Sequence, residues 1–214
     1  PYDIFFRDVT GDGEPELFIQ AGTNGAYSYW TMYIFKMTNN GPENIFKYYT
    51  GRVGTLQSTE MDKEWDSHWN DRAWDIMNLR CYVRDIDNNG IPEMIMANSV
   101  IEHLLGQTHG PYALTILEWN GKCFFDKTRK FPELARKAAL GYVDDSKKNI
   151  FPTDETDAYF LIADNLMPYY ANMILAGQEK KARDWIRKNA KGKILEWLDD
   201  KKEIQSIHDA LKLK

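Results

Sequence analysis

One ten-residue pattern occurs twice in the chain, and it limits what everything around it can fold into. Asp8-Val9-Thr10-Gly11-Asp12-Gly13-Glu14-Pro15-Glu16-Leu17 returns 77 residues further on, from position 8 to position 85, as Asp85-Ile86-Asp87-Asn88-Asn89-Gly90-Ile91-Pro92-Glu93-Met94. Each copy has oxygen-bearing side chains at positions 1, 3 and 5, Gly at 6, Pro at 8 and Glu at 9. Apolar β-formers flank both: Ile4-Phe5-Phe6 and Leu17-Phe18-Ile19 around the first, Cys81-Tyr82-Val83 and Met94-Ile95-Met96 around the second. A polar loop between two such runs reads as a hairpin, and two copies read as a repeat.

Alternating oxygens on a tight loop converge on one point, and the Gly allows the positive φ that such a turn needs. A hard cation with many oxygen ligands fits that point, with Ca²⁺ the leading candidate. The EF-hand loop carries its bidentate Glu at position 12, which here falls on Ile19 and Met96, so this is not an EF-hand. The acid at position 9, between strands, instead resembles the calcium loop of FG-GAP/VCBS-type repeats, found in integrin-like β-propellers and many secreted bacterial proteins. The resemblance covers the motif and its strands, about 1–50 and 79–128.

That resemblance implies two structural Ca²⁺ sites. Asp8, Thr10, Asp12 and Glu16 would ligate the first through side chains, with the carbonyl of Glu14. Asp85, Asp87, Asn89 and Glu93 would ligate the second, with the carbonyl of Ile91. Thr10 and Asn89 each replace an acid, so each loop offers three carboxylates and a moderate affinity is expected. The alternative reading of the same residues is a pair of polar hairpin loops closed by Asx-turns, without metal.

Around the loops the strand signals repeat. Ile4–Arg7, Leu17–Ala21, Ser28–Lys36 and Asn44–Tyr49 form one set, with turns at Gly22–Gly25 and Asn39-Asn40-Gly41. Leu79–Arg84, Met94–Asn98, Ala113–Trp119 and Lys122–Asp126 form the other, and Trp119-Asn120-Gly121-Lys122 predicts a type I′ hairpin. Each set is a four-stranded antiparallel meander. Two blade-like sheets do not close a propeller, which needs about four or more.

From Phe131 the pattern turns helical. Helices are expected at Pro132–Leu140, ended by Gly141, and over Asp154–Ala176, with Pro168 kinking the run or opening a second helix. Further helices are expected at Gln178–Ala190, Lys193–Asp199 and Glu203–Lys212. The expected fold class is α+β: two tandem meanders in 1–130 (repeat 1 about 1–50, insertion 51–78, repeat 2 about 79–130), then a helical region, 131–214, packed on or beside the sheets.

Composition narrows function mostly by exclusion. A net charge of −5 gives no basic footprint for nucleic acid. No apolar run approaches the roughly 20 residues that span a bilayer. No phosphate loop, nucleophile elbow, HExxH or CxxC is present, and His68, His103, His109 and His208 form no ligand spacing. Paired acids such as Asp144-Asp145 or Glu60, Asp62 and Glu64 do not by themselves make a glycosidase. Cys81 and Cys123 allow either a disulfide or two thiols. The insertion carries Trp65, Trp69 and Trp74, which either seal the joint between the sheets or, with Trp30, form a recognition surface.

The expected function is a non-enzymatic binding module, inhibitor-like or immunity-like or adhesin-like, whose partner is a protein or a cell-wall glycan. The alternative is a carbohydrate-binding module or accessory region of a secreted hydrolase, stacking sugars on Tyr27, Tyr29, Trp30 and the later indoles. Moderate-affinity calcium loops fill outside the cytosol, where modules work at a Kd of about 10⁻⁴–10⁻³ M. The chain begins at Pro1, so an export signal is expected to have been removed, and the protein to be secreted, periplasmic or on the cell surface.

Overall fold

The computed structural model describes residues 2–22, 30–46, 82–98, 113–146 and 155–212. The chain divides into two compact units, Pro1–Asn98 with Thr115–Lys127, and Ser99–Leu114 with Thr128–Leu213. The first is the sheet unit and the second the helical unit.

The sheet unit holds two four-stranded antiparallel sheets, so the α+β class and the paired meanders stand. Sheet one runs β1 (Tyr2–Arg7), β2 (Glu16–Gly22), β3 (Trp30–Thr38), β4 (Gly41–Asn44), in that spatial order. Sheet two repeats it with β5 (Tyr82–Arg84), β6 (Glu93–Asn98), β7 (Ala113–Trp119), β8 (Phe124–Asp126). The register around the two acidic loops is the same: Arg7 pairs with Glu16 and Arg84 with Glu93.

Two turns differ from expectation. The fourth strand starts at Gly41 rather than Asn44, because Thr38 already pairs with Gly41 across a two-residue turn. The second hairpin is not type I′: of Asn120 and Gly121 only the glycine has positive φ, at 90°. Asn120 instead turns its side chain inward, and its Oδ1 accepts the N–H groups of Lys122 and Cys123, each at 2.9 Å. The side-chain acceptor takes over from the backbone geometry that Asn-Gly usually supplies.

The two sheets share one core: Val9, Phe18, Ile34, Ile45 and Phe46 from the first repeat, with Met94, Met96, Leu117 and Phe124 from the second. Phe5 stacks on Phe18 at 4.7 Å, and Phe46 meets Phe124 edge-on at 5.6 Å. Counting from the loop glutamate, the core residue is two places on in the first sheet (Phe18) and one place on in the second (Met94). Side chains alternate along a strand, so the two sheets present opposite faces to the shared core. They stack front to back rather than face to matching face.

Among the described residues the other face of sheet one is mostly apolar. Ile4, Phe6 and Met37 are 60%, 57% and 66% exposed, with half-buried Leu17, Ile19, Tyr33 and Phe35 beside them. On sheet two the matching positions include Val83, Met94, Leu117 and Trp119, which belong to the shared core or pack against it. An apolar sheet face of this extent is unusual on a monomer's surface.

In the helical unit, α1 spans Pro132–Ser146, well past the expected end. Gly141 does not stop it, because Ala135, Ala139 and Val143 continue one buried face across the glycine. Burial outweighs the roughly 1 kcal/mol that Gly costs in a helix. Next come α2 (Glu155–Leu161), a π-helical turn at Ile162–Leu166, and α3 (Met167–Leu175). Pro168 stands in the first turn of α3, directly after the π-helical turn. α4 (Glu179–Asn189), α5 (Lys193–Asp199) and α6 (Lys201–Lys212) follow. Leu166, Met167, Tyr170, Ile186, Ile194, Leu198 and Ile207 centre this core. Asn172, fully buried, donates to the Pro168 carbonyl and accepts the Leu114 N–H, both at 2.8 Å. Among the described residues no helix is long and apolar enough to cross a membrane.

Candidate cation loops

Both acidic loops fold by the same backbone logic. In the first, Asp8 Oδ1 accepts the N–H groups of Thr10 (3.2 Å) and Gly11 (2.7 Å), and Oδ2 accepts that of Gly13 (2.9 Å). In the second, Asp85 Oδ1 accepts Asn89 N–H (3.1 Å) and Oδ2 accepts Gly90 N–H (2.9 Å). The position-9 glutamate then reaches back across the loop: Glu16 Oε2 takes Val9 N–H at 2.9 Å, and Glu93 Oε2 takes Ile86 N–H at 2.7 Å. Both glutamates are essentially buried.

Each loop turns twice through the left-handed region, at Gly11 and Gly13 and at Asn88 and Gly90. Gly11 is also held by contact. A Cβ there would lie 2.8 Å from the Gly90 carbonyl oxygen, so the two loops touch and only glycine fits between them.

Buried carboxylates need a counter-charge, and each loop has one from outside the motif. In the first, Lys36 on β3 hydrogen-bonds Asp12 and donates to the Thr10 hydroxyl at 3.2 Å. Its ammonium lies 3.7 Å from Glu16 Oε1. Thr10 in turn donates to Glu16 Oε1 at 3.1 Å. In the second, Lys127 after β8 lies 3.0 Å from Asp87 Oδ2 and 3.3 Å from Glu93 Oε1, and it hydrogen-bonds Glu118 on β7. Asn89 Nδ2 donates to the same Glu118 at 2.7 Å. The Lys127 side chain is 3% exposed and that of Lys36 29%.

These contacts set the titration of the groups. The hydrogen bond from Lys36, then the Glu14 N–H, hold the Asp12 carboxyl below its ordinary value, and Asp12 raises Lys36 in return. For Lys127 burial pulls downward, but Glu118, Asp87 and Glu93 outweigh it and hold the ammonium above its ordinary value.

The loops differ in what is left for a metal. Asp85, Asp87 and Glu93 each offer an oxygen within 4.8 Å of the others. Oxygens bound to one Ca²⁺ at about 2.4 Å lie no more than roughly 5 Å apart, so the spacing of these three carboxylates is within reach of one cation, and in this structure the Lys127 ammonium stands against two of them. Among the described residues Asp8, Asp12 and Glu16 do not make a second such group. In the first loop the third position is Thr10 and Asp8 is taken up by three backbone N–H groups, while a lysine spans two acids in both loops, Lys36 on Asp12 and Glu16 and Lys127 on Asp87 and Glu93. Of the remaining positions implied by the resemblance, Glu14 and Ile91 donate their N–H groups to Asp12 and Asn89.

The motif itself did not reveal Lys36, Glu118 and Lys127. A usable signal lay in the alternation: Lys36 shares a strand face with buried Ile34, and Glu118 with buried Ile116. An inward-facing charge on a strand implies a charged partner nearby.

Other candidate residues fall elsewhere. Trp30 stands at the start of β3. Trp65, Trp69, Trp74, Tyr27, Tyr29, His68, His103, His109 and Cys81 lie outside the described residues. Cys123 is a free thiol. His208 lies 3.2 Å from Glu179, which also accepts the Tyr170 hydroxyl, while Arg183 donates to that hydroxyl and to the Leu198 carbonyl, each at 3.1 Å. Burial, then Glu179, push Tyr170 up to about 12. This group brackets α3 to α4, α5 and α6. Compared with protein-family models, curated proteins and solved structures, the chain has no significant match in any of the three.

Proposed function

We propose that the sheet unit is a calcium-stabilised, non-enzymatic interaction module of an exported protein, with its ion seat on the second loop. The observation that carries this reading is the gathering of Asp85, Asp87 and Glu93 around one point. A divalent ion there neutralises clustered carboxylates and stabilises the native hairpin by RT ln(1 + [Ca]/Kd), about 1.4 kcal/mol at ten times Kd. Its part is structural: Asp85, Asp87 and Glu93 would hold it, and no reacting group is needed beside them. Export is the compartment this reading favours, because a moderate-affinity calcium seat fills outside the cytosol.

The interaction half of the reading is supported by the outer face of sheet one. Ile4, Phe6 and Met37 stand exposed on a face whose counterpart in sheet two is covered by another β-sheet. The partner this fits is a protein that lays an apolar sheet face on it.

The test is a thermal melt of the full chain in calcium and in chelator, on the parent, Asp85→Ala and Asp8→Ala. Calcium should raise the Tm of the parent and of Asp8→Ala and leave Asp85→Ala unmoved. A parent melt indifferent to chelation would remove both the metal and the argument for compartment.

A further inference from the structure

We propose that Asn120 is a self-modification site: its side-chain amide closes on the Gly121 nitrogen to a cyclic imide, which water opens to aspartate or isoaspartate. The fold directs this conversion to Asn120 and away from Asn89. Calcium plays no part in it.

Asn-Gly occurs four times, at 24–25, 40–41, 89–90 and 120–121, and the first lies outside the described residues. Glycine leaves the attacking nitrogen unhindered, so all four are candidates by sequence. Ring closure further needs that nitrogen free of other bonds, an amide nitrogen free to leave, and a donor where charge gathers on Oδ1.

Asn89 meets only the last of these, since its Oδ1 accepts the Ile91 N–H at 2.7 Å. The Gly90 N–H is tied to Asp85 Oδ2 at 2.9 Å, and Asn89 Nδ2 to Glu118 at 2.7 Å. At Asn40 the glycine is the first residue of β4 and pairs with Thr38. Strand pairing restrains the backbone rotation that closure requires.

Asn120 meets all of them. Both it and Gly121 are exposed, and among the described residues no hydrogen bond takes the Gly121 N–H. Asn120 Nδ2 reaches only Cys123 Sγ, a weak acceptor, at 3.6 Å. Oδ1 accepts the N–H groups of Lys122 and Cys123, each at 2.9 Å, which polarise Cγ and stand where the oxyanion forms.

The Gly121 nitrogen gives its proton to solvent and bonds to Asn120 Cγ, pushing an electron pair onto Oδ1. As that pair returns, the Cγ–Nδ2 bond breaks and the amide leaves as ammonia, taking a proton from water. Water adding at Cγ then breaks the new C–N bond and yields aspartate, whose oxygens can keep both N–H groups. Water adding at the Asn120 backbone carbonyl breaks the original peptide bond instead and yields isoaspartate. That product carries an extra backbone carbon inside the turn closed by Asn120 N–H on the Cys123 carbonyl.

The full-length chain, incubated for weeks in mildly alkaline buffer with and without guanidinium chloride, tests this. Peptide mass spectrometry reads each site, and methyltransferase labelling reads isoaspartate. In the folded chain Asn120 should convert at least about tenfold faster than Asn89, whose hydrogen bonds must break before attack. In denaturant the two should fall within about threefold of each other, because the contacts that separate them are gone. A folded-state rate at Asn120 equal to or below that at Asn89 overturns the proposal. So does a tenfold preference that persists in denaturant, which would assign the selection to sequence rather than to the fold.

Discussion

The first repeat and the second share a loop, a register and a strand order, yet they meet their buried acids with lysines from different strands. In the first the ammonium comes from β3, at Lys36; in the second the same strand position holds an acid, Glu118, and the ammonium comes from the end of the hairpin, at Lys127. Ile45, whose N–H bonds the Ile34 carbonyl, stands where Lys127 bonds that of Ile116. The motif fixes a backbone, and the counter-charge is a separate requirement that the surrounding sheet meets in more than one way.

The largest expected asymmetry lies in those lysines. Lys127→Met strands Glu93 and Glu118 in the interior and should cost about 3–5 kcal/mol in urea unfolding. Lys36→Met removes a half-exposed clamp and should cost about 1 kcal/mol or less. Equal losses would show that burial does not separate the two clamps.

Front-to-back stacking comes next. Met94→Ala, on the covered face of sheet two, should cost about 2–4 kcal/mol, whereas Met37→Ser, on the other face of sheet one, should stay within about 0.5 kcal/mol. Comparable losses would mean that both faces are covered.

The contact between the loops is expected to be worth somewhat less. Gly11→Ala meets both a positive φ of 74° and the Gly90 carbonyl, and should lose about 2 kcal/mol or more. Asn88→Gly, at the matching position, relieves a left-handed residue and should be neutral or slightly stabilising.

The smallest effect is in pH. Lys127 is raised, so its contribution is complete below its unfolded value of 10.5 and fades only as pH climbs past the higher folded value. Asp12 is lowered, so its share is complete above 3.8 and fades as pH falls through a lower folded value. The stability difference between the parent and Lys36→Met should therefore be flat from about pH 5 to 9, shrinking in acid as Asp12 is protonated and in alkali, above the unfolded value of 10.5, as Lys36 loses its proton.

Much of this was legible in the residues. The repeated loop, the two meanders and the places of α5 and α6 follow from alternation, helical period and turn chemistry acting over a few residues. What escaped depended on distant partners. Val83 and Phe6 look alike along their strands, and only the stacking decides that one is covered and the other exposed. Gly141 signals a helix end, yet the buried face through Ala135, Ala139 and Val143 carries α1 past it. Asn120-Gly121 signals a type I′ turn, yet the Asn side chain finds two N–H groups and builds another. Lys127 lies 40 residues from Asp87, so no spacing rule within the motif reaches it.

Counting bound ions tests the central claim most directly. Calorimetric titration of the full chain with calcium, alongside Asp87→Asn and Asp12→Asn, should give one ion per chain for the parent, none for Asp87→Asn and one for Asp12→Asn. Two ions in the parent, or a single ion lost with Asp12→Asn but kept with Asp87→Asn, would contradict it.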